Sequence, residues 1–569
     1  MKYEKYHPVR EVHSVKEMLT SGAEIYEDKP AFLVKEKKGG EYREISFAKF
    51  RNDVEALGTC LMDMGLRGEK IAVIGPNCYQ WIMAYFSIIC GTGIAVPLDK
   101  ELSSSEILNL VRKAGCKAAF FTPGYRECFE NSGVEHLFEM DPYEDPDRKD
   151  FIGHILQMAD EGRKLLNAGD RRFLDAEIKT DEMCEILFTS GTTGDPKGVM
   201  LSHDNLVFVI TNTSRIVHLR NDDRVLSILP VHHTFECTIG IMTVLFQGCS
   251  IAFCEGLKYI VKNMQEFRTS VIIGVPLIVE TIYEKIWKQA EKTGRAKALR
   301  MAVKANRTLL VLGIDKRRTI FKSIYGNFGG RLRMVISGAA AMDPNVLRGF
   351  VDLGFDVAQG YGLTETAPLI SGTPDFENIY KKAGSAGQVI PGGEIRIDAP
   401  DEDGIGEILY RGPNVMLGYY DMPEKTAEVM RDGWFCTGDL GFLDKDGWLY
   451  ITGRKKNVIV TKTGKNIYPE ELEALIDQIP QVKEAMVYGR ETEDSADITV
   501  AVQVLIDKEN LEETMGGDPA PEVMHAFIKD RIHEINSGIP SYKRIRHIII
   551  REKDFIRTST NKIKRGSNI

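Results

Sequence analysis

The sequence predicts an α/β protein, with a large N-terminal part of several subdomains and a small α+β domain after it. The N-terminal part is expected to carry mostly parallel sheets flanked by helices. Three observations carry this. From about residue 68, short apolar runs alternate with amphipathic stretches, the pattern of strand–helix–strand crossovers. After residue 453 helices and strands come in separate runs. At 569 residues the chain exceeds what one hydrophobic core usually serves.

Each element follows from its residues. KIAVIG (70–75) reads as a buried strand, 79–90 as a helix, GIAVPLD (93–99) as a strand, Ser104 to Arg112 as a helix and KAAFFT (117–122) as another strand. Trp81 to Leu98 is the most apolar stretch, but Ser87, Gly91, Thr92, Gly93 and Pro97 divide it. A membrane span needs about 20 uninterrupted apolar residues, so a buried helix followed by a buried strand is expected. Residues 140–182, with DPYEDPDRKD at 141–150, read as a polar surface connection. EILFTS (185–190) is a strand running into a Gly/Thr-rich loop, and Ser202 can cap a helix from about Asp204 to Val217. Residues 277–330 form a helical insertion, including 281–307. Beyond the boundary expected near Arg454 come a helix (468–480, Pro at each end), a strand (497–507), an amphipathic helix (521–536) and a strand (546–552). The expected domains are 1–453 and 454–569.

Composition narrows the function classes. Hydrophobic and charged contents of 43% and 27% are those of an ordinary soluble globular protein. A net charge of −9 argues against a broad nucleic-acid footprint, which needs a basic face. The ten cysteines form no C-x-x-C pair and no metal-spaced cluster. A disulfide framework and structural zinc are therefore not expected, and a reducing cytoplasm is. The polar start MKYEKYHPVREVHS is unlike a signal peptide. Composition leaves peripheral contact with the inner membrane face open, and oligomeric state is not readable.

The segment LFTSGTTGDPKGVM (187–200) is the strongest local signal. Thr189, Ser190, Thr192 and Thr193 surround Gly191 and Gly194, and Lys197 follows. Small residues let backbone N–H groups turn toward an anion, hydroxyls add donors and the lysine adds charge. This suits a polyphosphate. It is not the kinase or GTPase P-loop, which needs Gly-Lys followed by Ser or Thr, whereas the order here is Lys197-Gly198.

Further segments follow in order: LPVHHTFE (229–236), ISGAAAM (336–342), GYGLTETAP (360–368), FCTGDLGFLDKDGWLYITGRKKNVIVTKTGKNIYPEELE (435–473) and TSTNKIKR (558–565). Together with the 187–200 loop they resemble the adenylate-forming, AMP-binding enzymes: acyl-CoA synthetases, peptide-synthetase adenylation domains and luciferases. The resemblance covers nearly the whole chain, and the 277–330 insertion and HHTFE look more like long-chain fatty acid–CoA ligases than acetyl or aryl ones. It implies an N-terminal adenylation domain and a mobile C-terminal lid.

The resemblance also implies roles. The 189–194 residues and Lys197 would hold the β- and γ-phosphates of ATP. Gly338 and Ala339 would border adenine and the acyl pocket. Tyr361, between Gly360 and Gly362, would pack on adenine, and Thr364 would donate to the α-phosphate. Glu365 would hold Mg²⁺, a hard cation that seeks carboxylate oxygen. Asp439, with Arg454 beside it, would accept from the ribose hydroxyls. His233 would line the acyl and pantetheine channel, Lys456 would be the hinge, Gly464 would line the tunnel, and Lys562 would be the catalytic lysine. Asn561 stands where the family usually has Gly; Asn tolerates left-handed backbone better than most residues. The implied reaction joins a fatty acid to AMP, releases pyrophosphate and passes the acyl group to coenzyme A. Alternatives are an acyl carrier protein as acceptor, a medium-chain or aryl acid, luciferase-type oxidation, and a non-enzymatic lipid-binding protein on the same fold.

Overall fold

The computed structural model describes residues 6–143, 153–189, 196–312, 314–461, 465–492, 495–515, 520–557 and 563–569. The chain forms two compact units: Met1–Glu394 with Tyr410–Phe435, and Ile395–Leu409 with Cys436–Ile569. Residue 454, where the sequence places a boundary, ends the strand Leu449–Arg454 of the second unit.

The first unit holds two large sheets. One has the strand order 418–419, 197–202, 183–189, 94–97, 70–74, 118–121, 136–139. Its central strands are parallel, as the alternating sequence predicts. Strands 70–74 and 94–97 are connected by the helix Tyr79–Ser87, buried throughout, which ends in a π-turn containing Gly91 at φ 156°. The apolar stretch 81–98 is thus a core helix and strand, and among the described residues no helix is long and apolar enough to cross a membrane.

The other sheet, of nine strands among the described residues, runs 388–389, 371–372, 356–361, 334–337, 271–274, 224–227, 250–253, 30–35, 42–46. Its middle strands are parallel too. Ser103 caps 104–114 with a reciprocal capping box to Glu106, and Ser202 caps 203–216 likewise with Asn205.

Two expectations change. KGVMLS is not loop: Lys197–Ser202 is a strand antiparallel to Met183–Thr189, so Lys197 and Gly198 belong to the sheet. Its apolar Val199 and Leu201 face the core, a period-2 signal masked by the glycine-rich text before it. Residues 155–167, read as surface connection, form a helix with Ile155, Met158, Ala159 and Gly162 buried. The helical insertion is present: its 281–307 stretch lies in two helices, Pro276–Lys292 and Ala296–Val311, broken at Gly294 (φ 69°).

The second unit carries the antiparallel pair 439–443 and 449–454, and a three-stranded sheet of 482–492, 495–506 and 545–551. Helices 469–476 and 521–538 supply Leu472, Ile476, Ile528 and Ile532 to its core.

Candidate active site

In the first unit, residues far apart in sequence meet at the end of the 197–202 strand. Gly418 and Tyr419 pair with Met200 and Val199, adding a short antiparallel strand at the sheet edge. This places the Tyr419 ring 4.7 Å from Lys197 Nζ. The Tyr419 hydroxyl donates to Glu365 Oε1 at 2.9 Å, and Met416 N donates to the Glu365 carbonyl at 2.9 Å. Burial and the Glu365 carboxylate push the Tyr419 phenol well above its ordinary pKa, so it stays a proton donor at physiological pH. The lysine of the segment expected to hold phosphate and the carboxylate expected to meet a cation therefore share one aromatic side chain. Glu365 fits a hard cation: its carboxylate is oriented by a fixed donor and is only partly buried.

The turn carrying Thr364 and Glu365 is built by close backbone approach. Gly362 sits where a Cβ would lie 1.7 Å from the Pro368 carbonyl oxygen. Ala367 is left-handed at φ 58° and precedes a cis peptide to Pro368. Asn414 clamps the turn, donating to the carbonyls of Thr366 (2.6 Å) and Leu369 (2.7 Å), while Tyr410 holds its Oδ1 at 2.7 Å. Asn205 holds the next stretch through the carbonyls of Pro413 and Val415. Tyr361 ends the Asp356–Tyr361 strand and pairs with Ser371. The neighbouring Met334–Ser337 strand runs into Gly338 and Ala339, the latter left-handed at φ 69°.

His233 lies just before the π-helix Phe235–Thr243, its ring 4.0 Å from that of His232. His232 Nε2 is 3.5 Å from Asp99 Oδ1. A hydrogen-bond network fixes this loop. Asn77 donates to Ser227 Oγ (2.8 Å) and to the Leu229 carbonyl (2.6 Å), and accepts from Val231 N (3.0 Å). Ser227 Oγ in turn donates to Glu236, whose carboxyl burial pushes up to about 8. Phe235 packs so tightly on Gly338 that a Cβ there would lie 2.8 Å from the ring. The histidine loop and the 336–339 turn are thus joined.

In the second unit, Asp439 and Arg454 are cross-strand partners, with Arg454 Nε 2.7 Å from Asp439 Oδ1. Asp439 N is held by Thr437 Oγ1 at 3.1 Å. Lys455 pairs with Glu407 at 2.7 Å, and Asn457 with Glu470 at 2.6 Å, bracketing Lys456. Burial, helped by the charge of Arg454, lowers the Lys456 pKa.

Ser190, Gly191, Thr192, Thr193, Gly194, Gly464 and Lys562 lie outside the described residues. Thr189 ends its strand, and its Oγ1 donates to the Lys197 carbonyl at 3.4 Å. Sequence reading missed Tyr419, Asn414, Asn77 and Glu236. The available signal for Tyr419 was a Gly-Tyr-Tyr run after the apolar Val415 to Leu417.

The fold and the site define an adenylate-forming enzyme. Residues 19–420 match the AMP-binding enzyme family and 456–569 its C-terminal domain. The chain belongs to that family. Among similar proteins, long-chain-fatty-acid–CoA ligase FadD15 of Mycobacterium bovis is 28% identical over 95% of this chain and 92% of its own. Feruloyl-CoA synthase of an Amycolatopsis species is 27% identical over 78% of this chain and 80% of its own. ATP-bound MatB from Rhodopseudomonas palustris superposes with a TM-score of 0.74 at 26% identity, covering 97% of this chain and 98% of that one.

Proposed function

We propose that this protein activates a long-chain fatty acid to acyl-AMP and transfers the acyl group to coenzyme A. The observation that supports the adenylation step is the meeting of Lys197, Tyr419 and Glu365. A carboxylate cannot accept a thiol directly, because oxide would have to leave. Attack of the carboxylate oxygen on the α-phosphorus of ATP forms a P–O bond and breaks the bond to pyrophosphate. AMP then leaves when the thiolate sulfur attacks the acyl carbon. The carboxylate is already ionised, so the first step needs positioning and charge stabilisation rather than a protein base.

In this reading Thr189 to Gly194 and Lys197 grip the β- and γ-phosphates, and Thr364 donates to the α-phosphate. Tyr361 packs on adenine beside Gly338, Ala339, Gly360 and Gly362, and Asp439 with Arg454 selects the ribose. Tyr419 orients Glu365, the residue suited to hold Mg²⁺, which when bound would neutralise charge on the departing pyrophosphate. Lys562 bridges carboxylate and α-phosphate; unit charges about 4 Å apart interact by about 4 kcal/mol at an effective dielectric near 20. The thiol must arrive where Lys562 stood. The C-terminal domain, 454–569, therefore turns about Lys456 between half-reactions and brings Gly464 to the tunnel, with His233 on the channel wall.

Relatives named as long-chain ligases and the helical insertion support the fatty-acid assignment. An apolar tunnel gains about 0.8 kcal/mol per buried methylene, so depth would select chain length. A relative named feruloyl-CoA synthase supports an aryl acid as the second reading. Thioester formation with oleate and with ferulate, each offered coenzyme A and an acyl carrier protein, tests the proposal. Oleoyl-CoA as the fastest product supports it; feruloyl transfer, or transfer to the carrier protein alone, overturns it.

A further inference from the structure

The segment 276–330 holds twelve lysines and arginines against four carboxylates, a net of +8 in a chain whose total is −9. All four carboxylates are engaged. Glu284 lies 4.0 Å from Lys288, Glu291 is 3.6 Å from Arg300, Asp315 is 2.8 Å from Arg317, and Glu280 accepts from Asp343 N at 3.0 Å. Three of the arginines are engaged within the protein: Arg307 pairs with Asp352, and Arg317 and Arg318 donate to the carbonyls of Val351 and Leu332. The remaining nine basic residues, Lys285 through Lys322, are all exposed.

Apolar side chains share this surface. Along the helix Ala296–Val311, Lys297, Met301, Lys304 and Thr308 fall at helical spacing on one outward stripe, which Leu312 continues. Met301 is 59% exposed and Leu312 68%; Leu277, at the start of the preceding helix, is 60% exposed. Ile314 and Ile320 are exposed as well. Beside the stripe opens a cleft of about 360 Å³, lined by Trp287, Arg300 and Arg348 among others. The Arg300 guanidinium lies 5.7 Å from the Trp287 ring centroid. A solvated helix would present charge alone, and a protein-docking face would gather its apolar residues at a charge-depleted centre. Here large apolar tips stand between lysines, with an aromatic and two guanidiniums alongside.

We propose that the helical hairpin 276–292 and 296–311, with Leu312 and residues 314–320, is a docking surface for an anionic lipid bilayer. Lysines and arginines meet head-group phosphates, while Leu277, Met301 and Leu312 enter the boundary below them. The surface rests on charge and exposure and is independent of which acid the enzyme activates. Every basic residue near an anionic surface adds to binding, and the attraction falls within a Debye length.

Flotation of the full-length protein with vesicles tests this, using phosphatidylcholine alone and an equimolar mixture with phosphatidylglycerol. The protein should float with the mixed vesicles, remain behind with the neutral ones, and release at high salt. The triple variant Lys297→Gln/Arg300→Gln/Lys304→Gln should partition roughly 100-fold more weakly, and Met301→Asp should also weaken binding. Both variants should keep the parent's thermal unfolding midpoint, which separates lost docking from lost folding. No flotation with the mixed vesicles, equal flotation with both, or unchanged partitioning of the triple variant would overturn the proposal. So would capture by an acidic acyl carrier protein with no vesicle binding.

Discussion

Replacing Tyr419 with phenylalanine deletes one oxygen from the candidate site and leaves the ring. The ring still faces Lys197 at 4.7 Å, while the 2.9 Å hydrogen bond to Glu365 is lost. A hydrogen bond to a charged group is worth about 1.5–3 kcal/mol, so ATP–pyrophosphate exchange should fall roughly 10- to 150-fold if it orients Glu365 for the reaction. The loss should shrink at high Mg²⁺, because a loosened carboxylate binds a cation more weakly without losing its charge. Tyr419→Leu removes the ring as well, and with it a cation–π contact of about 0.5–2 kcal/mol, so it should be worse and should raise the KM for ATP. The assay is exchange measured across a Mg²⁺ titration, with unfolding midpoints as the control for folding. Wild-type exchange in Tyr419→Phe at every Mg²⁺ concentration would refute the reasoning.

Three further outcomes are expected, two from the hydrogen bonding around Glu236 and Asn414 and one from the role proposed for Lys562. The Glu236 carboxyl, held at about 8 against an ordinary 4.5, keeps its proton in the fold where the unfolded chain has lost it. Stability therefore drains as pH rises from about 4.5 to 8, by on the order of 4 kcal/mol. Glu236→Gln should remove that slope, its unfolding midpoint gaining on the parent's between pH 5 and pH 8; a constant gap would contradict the burial argument. Asn414→Ala leaves the Thr366 and Leu369 carbonyls without their donor. It should cost about 1–3 kcal/mol in urea unfolding and slow exchange through the loosened Glu365 turn. Lys562→Ala should abolish acyl-AMP formation yet still convert supplied acyl-AMP to thioester; equal loss of both half-reactions would sink the two-state lid.

The parallel core was legible because its strands are short apolar runs closed by turn residues, as in KIAVIG before Pro76 and Asn77. Caps were legible for the same local reason: Ser202 and Asn205 are three residues apart. The Asp439–Arg454 pair could be expected from the motifs, and the antiparallel register sets the two side by side. Tyr419 could not be found that way. It reaches Lys197 only through a two-residue strand pairing across more than two hundred residues, a non-local contact that no periodicity announces. The 155–167 helix was hidden because its buried stripe is small, Ala159 and Gly162 among charges, which suits close packing and reads as polarity. Glu236 and Asn77 look like ordinary polar residues in text; only the hydrogen bonds made in the fold turn them into a clamp for the histidine loop.

In the proposed reaction a carboxylic acid, and specifically a long-chain one, attacks the α-phosphorus of ATP. ATP–pyrophosphate exchange with the purified protein, run over acids from acetate through oleate with ferulate and benzoate alongside, tests it most directly. Exchange should require an added acid and rise toward the long-chain end. Exchange with no acid in the panel would contradict adenylation, and a maximum at the aromatic acids would contradict the fatty-acid assignment.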